Sequence, residues 1–148
     1  MKKQNIEKLR NMASFDHLPN GNYVCVIRNV EDVQEKEYLR YEFDICEGEY
    51  AGYFKALHDK YNNGYWAGIG IISYKDSAEW YFGKFVVALE QSNPGFHFDG
   101  ETESDFIGKT VGLCLVEKEY TTARGNVGTR MEVSDFLNIE DVRKEVGI

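Results

Sequence analysis

Residues able to ligate a metal or to act as a nucleophile are scarce in this sequence. Three histidines and three cysteines are available for such chemistry: His17, His58, His97, Cys25, Cys46 and Cys114. No two of them have the spacing of a ligand motif such as C-x-x-C or H-x-x-x-H. His58 and Asp59 are adjacent, but neighbouring residues on a strand point to opposite faces. We therefore predict no enzyme activity, no metal and no cofactor, and we expect the cysteines to be buried free thiols.

Aromatic residues are abundant, at 14% of the chain, with ten Tyr, nine Phe and two Trp. Any nucleobase offers a flat face on which a ring can stack, and neighbouring Lys or Arg side chains can contact phosphates. Four rings lie on apolar faces and are assigned to the core: Tyr41, Phe43, Phe82 and Phe85. The other rings and their basic neighbours give a predicted nucleic-acid-binding set of Tyr38, Arg40, Tyr53, Lys55, Lys60, Tyr61, Tyr65, Trp66, Lys118, Tyr120, Arg124 and Arg130.

Each residue of this set also has a purely structural interpretation. The rings can be half-buried at the edge of a barrel instead of stacking on a base. Arg40, on the polar face of a strand, can contact a phosphate or pair with an acid on the next strand. Arg124, at the tip of a turn, can fold over a phosphate or serve only to keep the turn soluble. The sequence leaves both interpretations open.

The net charge of −8 opposes nucleic-acid binding, because the affinity for a polyanion comes largely from Lys and Arg replacing its counterions. The charge is uneven, however. Residues 31–50 hold eight acids and two bases, whereas residues 53–75 and 109–130 each carry two more bases than acids. A local groove can therefore be basic, although a field that steers DNA from a distance is not expected.

Three strands are predicted in the first half of the chain. The first begins at 23–27 and continues less regularly to residue 33. The second covers 39–45, where apolar and polar residues alternate strictly. Two glycines within 47–52 indicate a hairpin, after which 53–57 is predicted as the third strand. Residues 61–75 fit either a long loop or an extra hairpin, and their glycines match neither a Walker nor a dinucleotide-binding pattern.

A helix and two more strands are predicted in the second half. The helix has one apolar stripe, formed by Ala78, Phe82, Phe85, Val86 and Leu89. Asp76 and Glu79 have the spacing of a capping box, and residues 93–95 end the helix. An apolar strand at 111–120, a turn, and a strand beginning at 130 follow. Residues 139–145 are predicted as a short closing helix.

This element order, β-β-β-α-β-β, is that of an OB barrel. The predicted fold is mainly β: a five-stranded OB-type barrel with one helix between strands three and four, plus short terminal helices. A chain of 148 residues has the size of one domain. We place an N-terminal helix or arm at 1–18 and a single OB-like domain at 19–148. Ligands of such barrels lie across strands two and three and on the loops joining strands one to two and four to five.

Short motifs spread along the chain resemble those of a known family. They are Pro19-x-Gly21-x-Tyr23, Glu47-Gly48-Glu49-Tyr50-x-Gly52, Ser92-Asn93-Pro94-Gly95-Phe96, Gly108-Lys109-x-x-Gly112, Glu119-Tyr120-Thr121 and Val142-Arg143. In this order they resemble a family of small phage and prophage proteins of Gram-positive bacteria, encoded in replication or recombination modules. The resemblance covers about residues 18–145.

The resemblance implies an OB-like fold and single-stranded DNA binding that protects strands for a phage recombinase or helicase. No apolar run follows the basic N-terminus and none reaches about 18 residues, so we expect a cytoplasmic protein of a bacterial host with no membrane partner. Open sheet edges often pair, so a homodimer is compatible with the sequence. The alternative function is an acidic protein-interaction module that docks on a replication or recombination protein.

Overall fold

The computed structural model describes residues 1–4, 6, 17–61 and 64–145. Within them the chain forms five β-strands and three α-helices, so the predicted mainly β class is confirmed. The strands are β1 (Gly21–Val33), β2 (Tyr38–Ile45), β3 (Ile69–Ser73), β4 (Thr110–Thr121) and β5 (Val127–Leu137). The helices are α1 (Tyr53–Tyr61), α2 (Glu79–Ser92) and α3 (Ile139–Glu145). Short 3-10 turns cover Gln34–Lys36, Asp76–Ala78 and Glu103–Phe106.

The five strands form one sheet in the order β3-β2-β1-β4-β5, and every neighbouring pair is antiparallel. The two edge strands, β3 and β5, come within 8 Å of each other between Cα atoms. They are not hydrogen-bonded neighbours within the described part of the chain, so the curved sheet remains an open one. Helix α2 lies between β3 and β4 in the sequence and packs against β3, β4 and β5.

Strand β2 confirms the predicted alternation. Leu39, Tyr41, Phe43 and Ile45 are all buried, while the residues between them are half-exposed. The inward side chains join one core that includes Phe85 of α2. We call the opposite side of β1, β2 and β3, which faces away from this core, the outer face.

The prediction of a third strand at 53–57 is wrong, because these residues form the first half of α1. The physical reason is a cap supplied from β2. The Asp44 carboxylate accepts hydrogen bonds from the backbone N–H groups of Phe54 (2.9 Å) and Lys55 (3.2 Å), two groups that have no partner inside a helix. Asp44 is ten residues from Phe54 in the sequence, so a local sequence pattern does not predict this helix.

The third strand instead lies within residues 61–75, at Ile69–Ser73, where the sequence left a loop and a hairpin as alternatives. Gly70 of this strand pairs with Tyr41 of β2. A Cβ atom at Gly70 would lie 2.1 Å from Cζ of Tyr41, so the tyrosine ring occupies the space that a side chain at Gly70 would need.

Helix α2 is confirmed, but its predicted capping box is wrong. The helix begins at Glu79, and Asp76 lies in the preceding 3-10 turn, so the N-cap is Ala78, which makes no side-chain capping bond. The predicted end of the helix is confirmed. Asn93 donates from Nδ2 to the carbonyl oxygens of Leu89 and Thr110, both at 2.7 Å, and so ties the end of α2 to the start of β4.

Two further expectations need correction. The cysteines are free, but only Cys25 is buried, because Cys46 and Cys114 fall on the outward side of their strands or just beyond them. His58 and Asp59 lie on a helix and not on a strand. The predicted N-terminal helix falls largely at residues 5 and 7–16, outside the described residues, whereas Leu18 belongs to the main core. None of the helices in the described ranges combines the length and the apolar character needed to cross a membrane.

The closing helix α3 is confirmed and lies against β1 and β4. Ile139 and Val142 bury their side chains with Val24 in a second, smaller core. On the exposed side of α3, Arg143 forms a two-pronged contact with the Glu47 carboxylate, with Nε 3.2 Å from Oε1 and 3.1 Å from Oε2. The C-terminal helix is thereby fastened to the loop that follows β2.

The close contact at Gly70 gives a stability prediction. Gly70→Ala should destabilise the protein by about 1 to 3 kcal/mol, because the new methyl group overlaps the Tyr41 ring in a packed core. The matched control is Gly83→Ala on the exposed side of α2, where nothing lies within 4 Å of an added Cβ. This variant should gain up to about 1 kcal/mol of helix propensity. Urea unfolding measures both, and equal effects would contradict the packing described at Gly70.

The Arg143–Glu47 contact gives a pH prediction. Hydrogen bonds from Arg143 lower the pKa of Glu47 below its ordinary value of 4.5. Such a carboxyl stabilises the fold above its unfolded-state pKa and loses this contribution as the pH falls through the folded-state pKa. In a double-mutant cycle of Glu47→Gln and Arg143→Gln, the coupling free energy from urea unfolding should be present at neutral pH and fade below about pH 4. A coupling that is unchanged in acid would contradict the contact.

Candidate nucleic-acid interface

An arginine and a tryptophan stack on the outer face. Arg28 is the extra residue of a β-bulge in β1, because Ile27 pairs with Phe43 and Asn29 already pairs with Glu42. Its guanidinium carbon lies 3.6 Å from the centroid of the Trp66 ring. Guanidinium groups favour this arrangement, which is worth about 0.5 to 1 kcal/mol at an exposed site.

Trp66 is held in place on its other sides. Its indole N–H donates to the carbonyl oxygen of Phe43 at 2.8 Å, which fixes the ring beside β2. The ring of His58, from α1, lies 5.6 Å away between centroids at an angle of 38°. His58 and Arg28 therefore both lie against Trp66, and these three flat groups connect α1 to the sheet.

Arg40 is linked to Arg28 through Glu42. The Glu42 carboxylate lies 3.4 Å from Nη1 of Arg28 and 3.2 Å from Nη1 of Arg40, so one acid holds two arginines. Arg40 also stands opposite Glu31 of β1 and Ile71 of β3, and Ile71 is 58% exposed. We call Arg28, Arg40, Glu42 and Trp66 the Arg–Trp cluster. It offers two guanidinium groups, one of whose charges Glu42 offsets, around a half-buried indole ring.

Of the alternatives that the sequence left open for Arg40, the structure shows pairing with an acid, but the acid, Glu42, is on its own strand and not on the next one. Tyr38 lies further along β2, opposite Val33 and Ser73, close to the acidic turn that follows β1. Tyr65 precedes Trp66 and is 78% exposed. These positions bring Arg40 and Tyr65 to the neighbourhood of Trp66 and leave Tyr38 at the far end of the face.

A second group of predicted residues lies on the β4–β5 hairpin. Beyond about residue 117 both strands leave the core, and their residues are exposed on both faces. This arm carries Lys118, Tyr120, Arg124 and Arg130. Lys118 pairs in register with Arg130, whose guanidinium lies 5.8 Å from the Tyr120 ring. Arg124 is exposed in the connecting turn.

The third group lies on α1, because residues 53–61 are helical. Tyr53 packs against the core and makes an edge contact with Phe54. Lys55 binds the Asp59 carboxylate at 2.8 Å and thereby lowers its pKa. Lys60 and Tyr61 occupy the last turn of the helix. Tyr53 is therefore a packing residue, in agreement with the alternative of burial at a barrel edge.

A cleft between the two sheet edges connects the Arg–Trp cluster to the hairpin. It has a volume of about 430 Å³ and runs between β3 and β5, and we call it the β3–β5 cleft. Trp66 and Ile71 line one side, and Arg130 and Glu132 line the other. Arg130 is held by Glu132, with Nη2 2.8 Å from Oε1. Residues from two separate predicted groups thus share one concave surface.

Arg28 and His58 are members of this site that the prediction of binding residues missed. The signal for Arg28 was present, since Arg28 and Asn29 are two consecutive polar residues that interrupt the apolar run between Tyr23 and Val30. That break in alternation marks a bulge, and a bulge turns a side chain in a new direction. The proximity of His58 depends on α1, whose cap comes from a different strand.

The histidines and cysteines are not assembled into a common centre. His17 contacts Glu117 at 2.6 Å, and His58 lies 3.7 Å from Asp59. Among the residues that the structure describes, no group of three or more His, Cys, Asp or Glu side chains is arranged to hold a metal ion.

The fold and the site define a small, mainly β domain with an open five-stranded sheet and an arginine–aromatic surface on its outer face. The chain belongs to the DUF669 family, described as a protein of unknown function, whose family model matches residues 5–145. No curated protein matches the chain.

The stack of Arg28 on Trp66 can be tested directly. Arg28→Ala should cost about 0.5 to 1 kcal/mol of stability and open one face of the indole to solvent. Acrylamide quenching should then become more efficient in a Trp80→Phe background, where Trp66 is the remaining tryptophan of the two in the chain. Lys144→Ala in the same background is the control and should leave quenching unchanged. Equal quenching in all three proteins would show that Arg28 does not cover the ring.

Proposed function

We propose that this protein binds single-stranded DNA without catalysis, as an OB-type domain. The observation that carries the proposal is the Arg–Trp cluster, which lies across β1, β2 and the segment leading into β3. In OB domains the ligand surface is the face of strands two and three together with the loops joining strands one to two and four to five.

The strand order supports the OB assignment. An OB domain is a partly open, five-stranded Greek-key barrel, with strand one between strands two and four. The order β3-β2-β1-β4-β5, with α2 between β3 and β4, agrees with that arrangement. The near approach of β3 and β5 agrees with a barrel that stops short of closure.

The chemistry of the cluster suits a single strand. A flexible strand offers exposed base faces and phosphates together, and aromatic platforms with nearby arginines bind both. The exposed Tyr65 provides a ring beside Trp66, and Arg28 and Arg40 provide guanidinium groups. On the hairpin, Tyr120 and Arg130 repeat this combination at the other side of the β3–β5 cleft.

The distribution of charge predicts a modest dependence on salt. Glu42 already pairs with both arginines of the cluster, and Glu132 pairs with Arg130. A phosphate must therefore compete with internal carboxylates, so fewer counterions are released than a count of basic residues implies. We infer that ring stacking supplies most of the affinity and that the arginines orient the backbone.

The setting we propose is the bacterial cytoplasm, in the replication or recombination module of a phage or prophage. There the protein would cover single strands and present them to a recombinase or helicase. The proposal rests on the motif resemblance, two of whose segments have a structural role here. Asn93 joins α2 to β4, and Arg143 fastens α3 to Glu47.

A second candidate function is an acidic protein-interaction module. The observation that favours it is the acidic surface formed by the end of β1 and the turn to β2, where Glu31, Glu35 and Glu37 are all exposed. Such a turn suits a basic segment of a replication or recombination protein. This turn is itself one of the loops that OB domains use for ligands, so the two functions would compete for the same surface.

The binding proposal is tested by a charge series on the Arg–Trp cluster. Arg28→Ala and Arg40→Ala should each weaken binding of an oligo-dT of about 30 nucleotides by about three- to tenfold. Glu42→Gln should strengthen it, because the two arginines are released from their internal partner. Fluorescence anisotropy at low and near-physiological salt measures all three, beside the matching duplex.

Lys144→Ala is the matched control for this series. It removes one exposed positive charge from α3, whose buried residues pack on Val24 of β1 and not on the Arg–Trp cluster. Its affinity should remain within about twofold of the original protein. Losses of equal size in Lys144→Ala and Arg28→Ala would indicate non-specific attraction, and no binding at low salt would overturn the proposal in favour of the interaction module.

A further inference from the structure

The floor of the β3–β5 cleft contains a hydroxyl group in an unusual situation. Tyr41 is 1% exposed, and its Oη atom has no hydrogen-bond partner within the described part of the chain. Leaving a buried hydroxyl without a partner costs about 1 to 3 kcal/mol, so a phenylalanine would be the more stabilising residue at a purely structural position. Burial also raises the pKa of Tyr41 well above its usual range, so the hydroxyl keeps its proton and can donate it.

The position of the ring directs this hydroxyl towards β3. Gly70 is the partner of Tyr41 across the sheet, and the phenol oxygen lies 2.3 Å from the point that a Cβ of Gly70 would occupy. Tyr41 and Gly70 both line the β3–β5 cleft. A residue with any side chain at position 70 would push the ring away, so the glycine keeps the hydroxyl at the cleft.

The walls of the cleft accept a flat group. Tyr81 of α2 and Phe136 of β5 pack together at 5.2 Å between centroids on one side, and Trp66 and Ile71 lie on the other. An inserted β-strand would need β3 and β5 about 9.5 Å apart, whereas their Cα atoms come within 8 Å. The gap is therefore too narrow for a peptide strand, while its aromatic and aliphatic lining suits a flat group.

The mouth of the cleft carries both kinds of hydrogen-bonding group. Arg130 supplies donors and the Glu132 carboxylate supplies acceptors, and their side chains are 64% and 39% exposed. Trp66 belongs at once to the cleft and to the Arg–Trp cluster. A strand lying on the outer face can therefore turn one of its bases inward past Trp66 without leaving the surface.

We propose that the β3–β5 cleft takes up a single nucleobase, whose polar edge hydrogen-bonds the Tyr41 hydroxyl while Arg130 and Glu132 contact it at the mouth. This inference rests on the proposed function and refines it, because it assigns one base of the bound strand to a pocket and the others to the open face. It predicts that base contacts, and not phosphates alone, determine part of the affinity.

The test compares an oligo-dT of about 30 nucleotides with an abasic oligomer of the same length and phosphate number. The original protein should bind oligo-dT more tightly. Tyr41→Phe should narrow this preference by about two- to tenfold, the value of one lost hydrogen bond, while its Tm rises by a few degrees. Tyr23→Phe, which removes a hydroxyl that donates to the carbonyl oxygen of Pro19 outside the cleft lining, is the matched control and should leave the preference unchanged.

Each other outcome also decides the question. If Tyr41→Phe still binds oligo-dT and its preference for oligo-dT over the abasic oligomer is unchanged, the base pocket is overturned and the proposed function stands. If neither oligomer binds at low salt, the proposed function fails, and titration with free deoxynucleosides decides the pocket alone. In that titration, shifts of the Gly70 and Ile71 amide resonances in the original protein but not in Tyr41→Phe would support the pocket. No such shifts in the original protein would overturn it.

Discussion

The Asp44 carboxylate is the constraint on which the outer face depends. It accepts the first free N–H groups of α1 and also the N–H of Ile45 at 2.8 Å. A helix start is a favourable place for a negative charge, and here the charge comes from the neighbouring strand. Because α1 begins at this point, it presents His58 towards the sheet and returns the chain with Trp66 beside β2. The contacts of His58 and Arg28 with Trp66 follow from that single docking.

The sequence predicts those parts of the fold that local patterns determine. The alternation in β2, the apolar stripe of α2 and the stop at Asn93 all express short-range periodicity or turn chemistry, and each is confirmed. The strand prediction for residues 53–57 is wrong for a physical reason. Their aromatic and apolar character suits a strand, but a capping residue distant in the sequence makes them helical. β3 is difficult to predict for the same kind of reason. A glycine is unusual in a strand, and Gly70 is there to accommodate the Tyr41 ring from β2.

The candidate site is predictable only in part, because it is built from three separate groups. The sequence identifies Arg40, Trp66 and Arg130 by residue type, but it cannot show that Glu42 holds two arginines or that Trp66 and Arg130 face each other across a cleft. These relations depend on register and on the curvature of the sheet. The bulge at Arg28 is intermediate, since its signal is local but its consequence, the stack on Trp66, is not.

The open sheet has a consequence for the accessibility of its strand edges. Exposed strand edges are templates for pairing with other molecules, and small β proteins protect them by shortening or covering them. Here β3 has five residues, and β5 lies opposite it within 8 Å between Cα atoms. Each edge therefore obstructs access to the other, and the narrow gap is too small for a foreign strand. An unclosed sheet can thus gain much of a barrel's resistance to aggregation while it keeps an entrance to its interior.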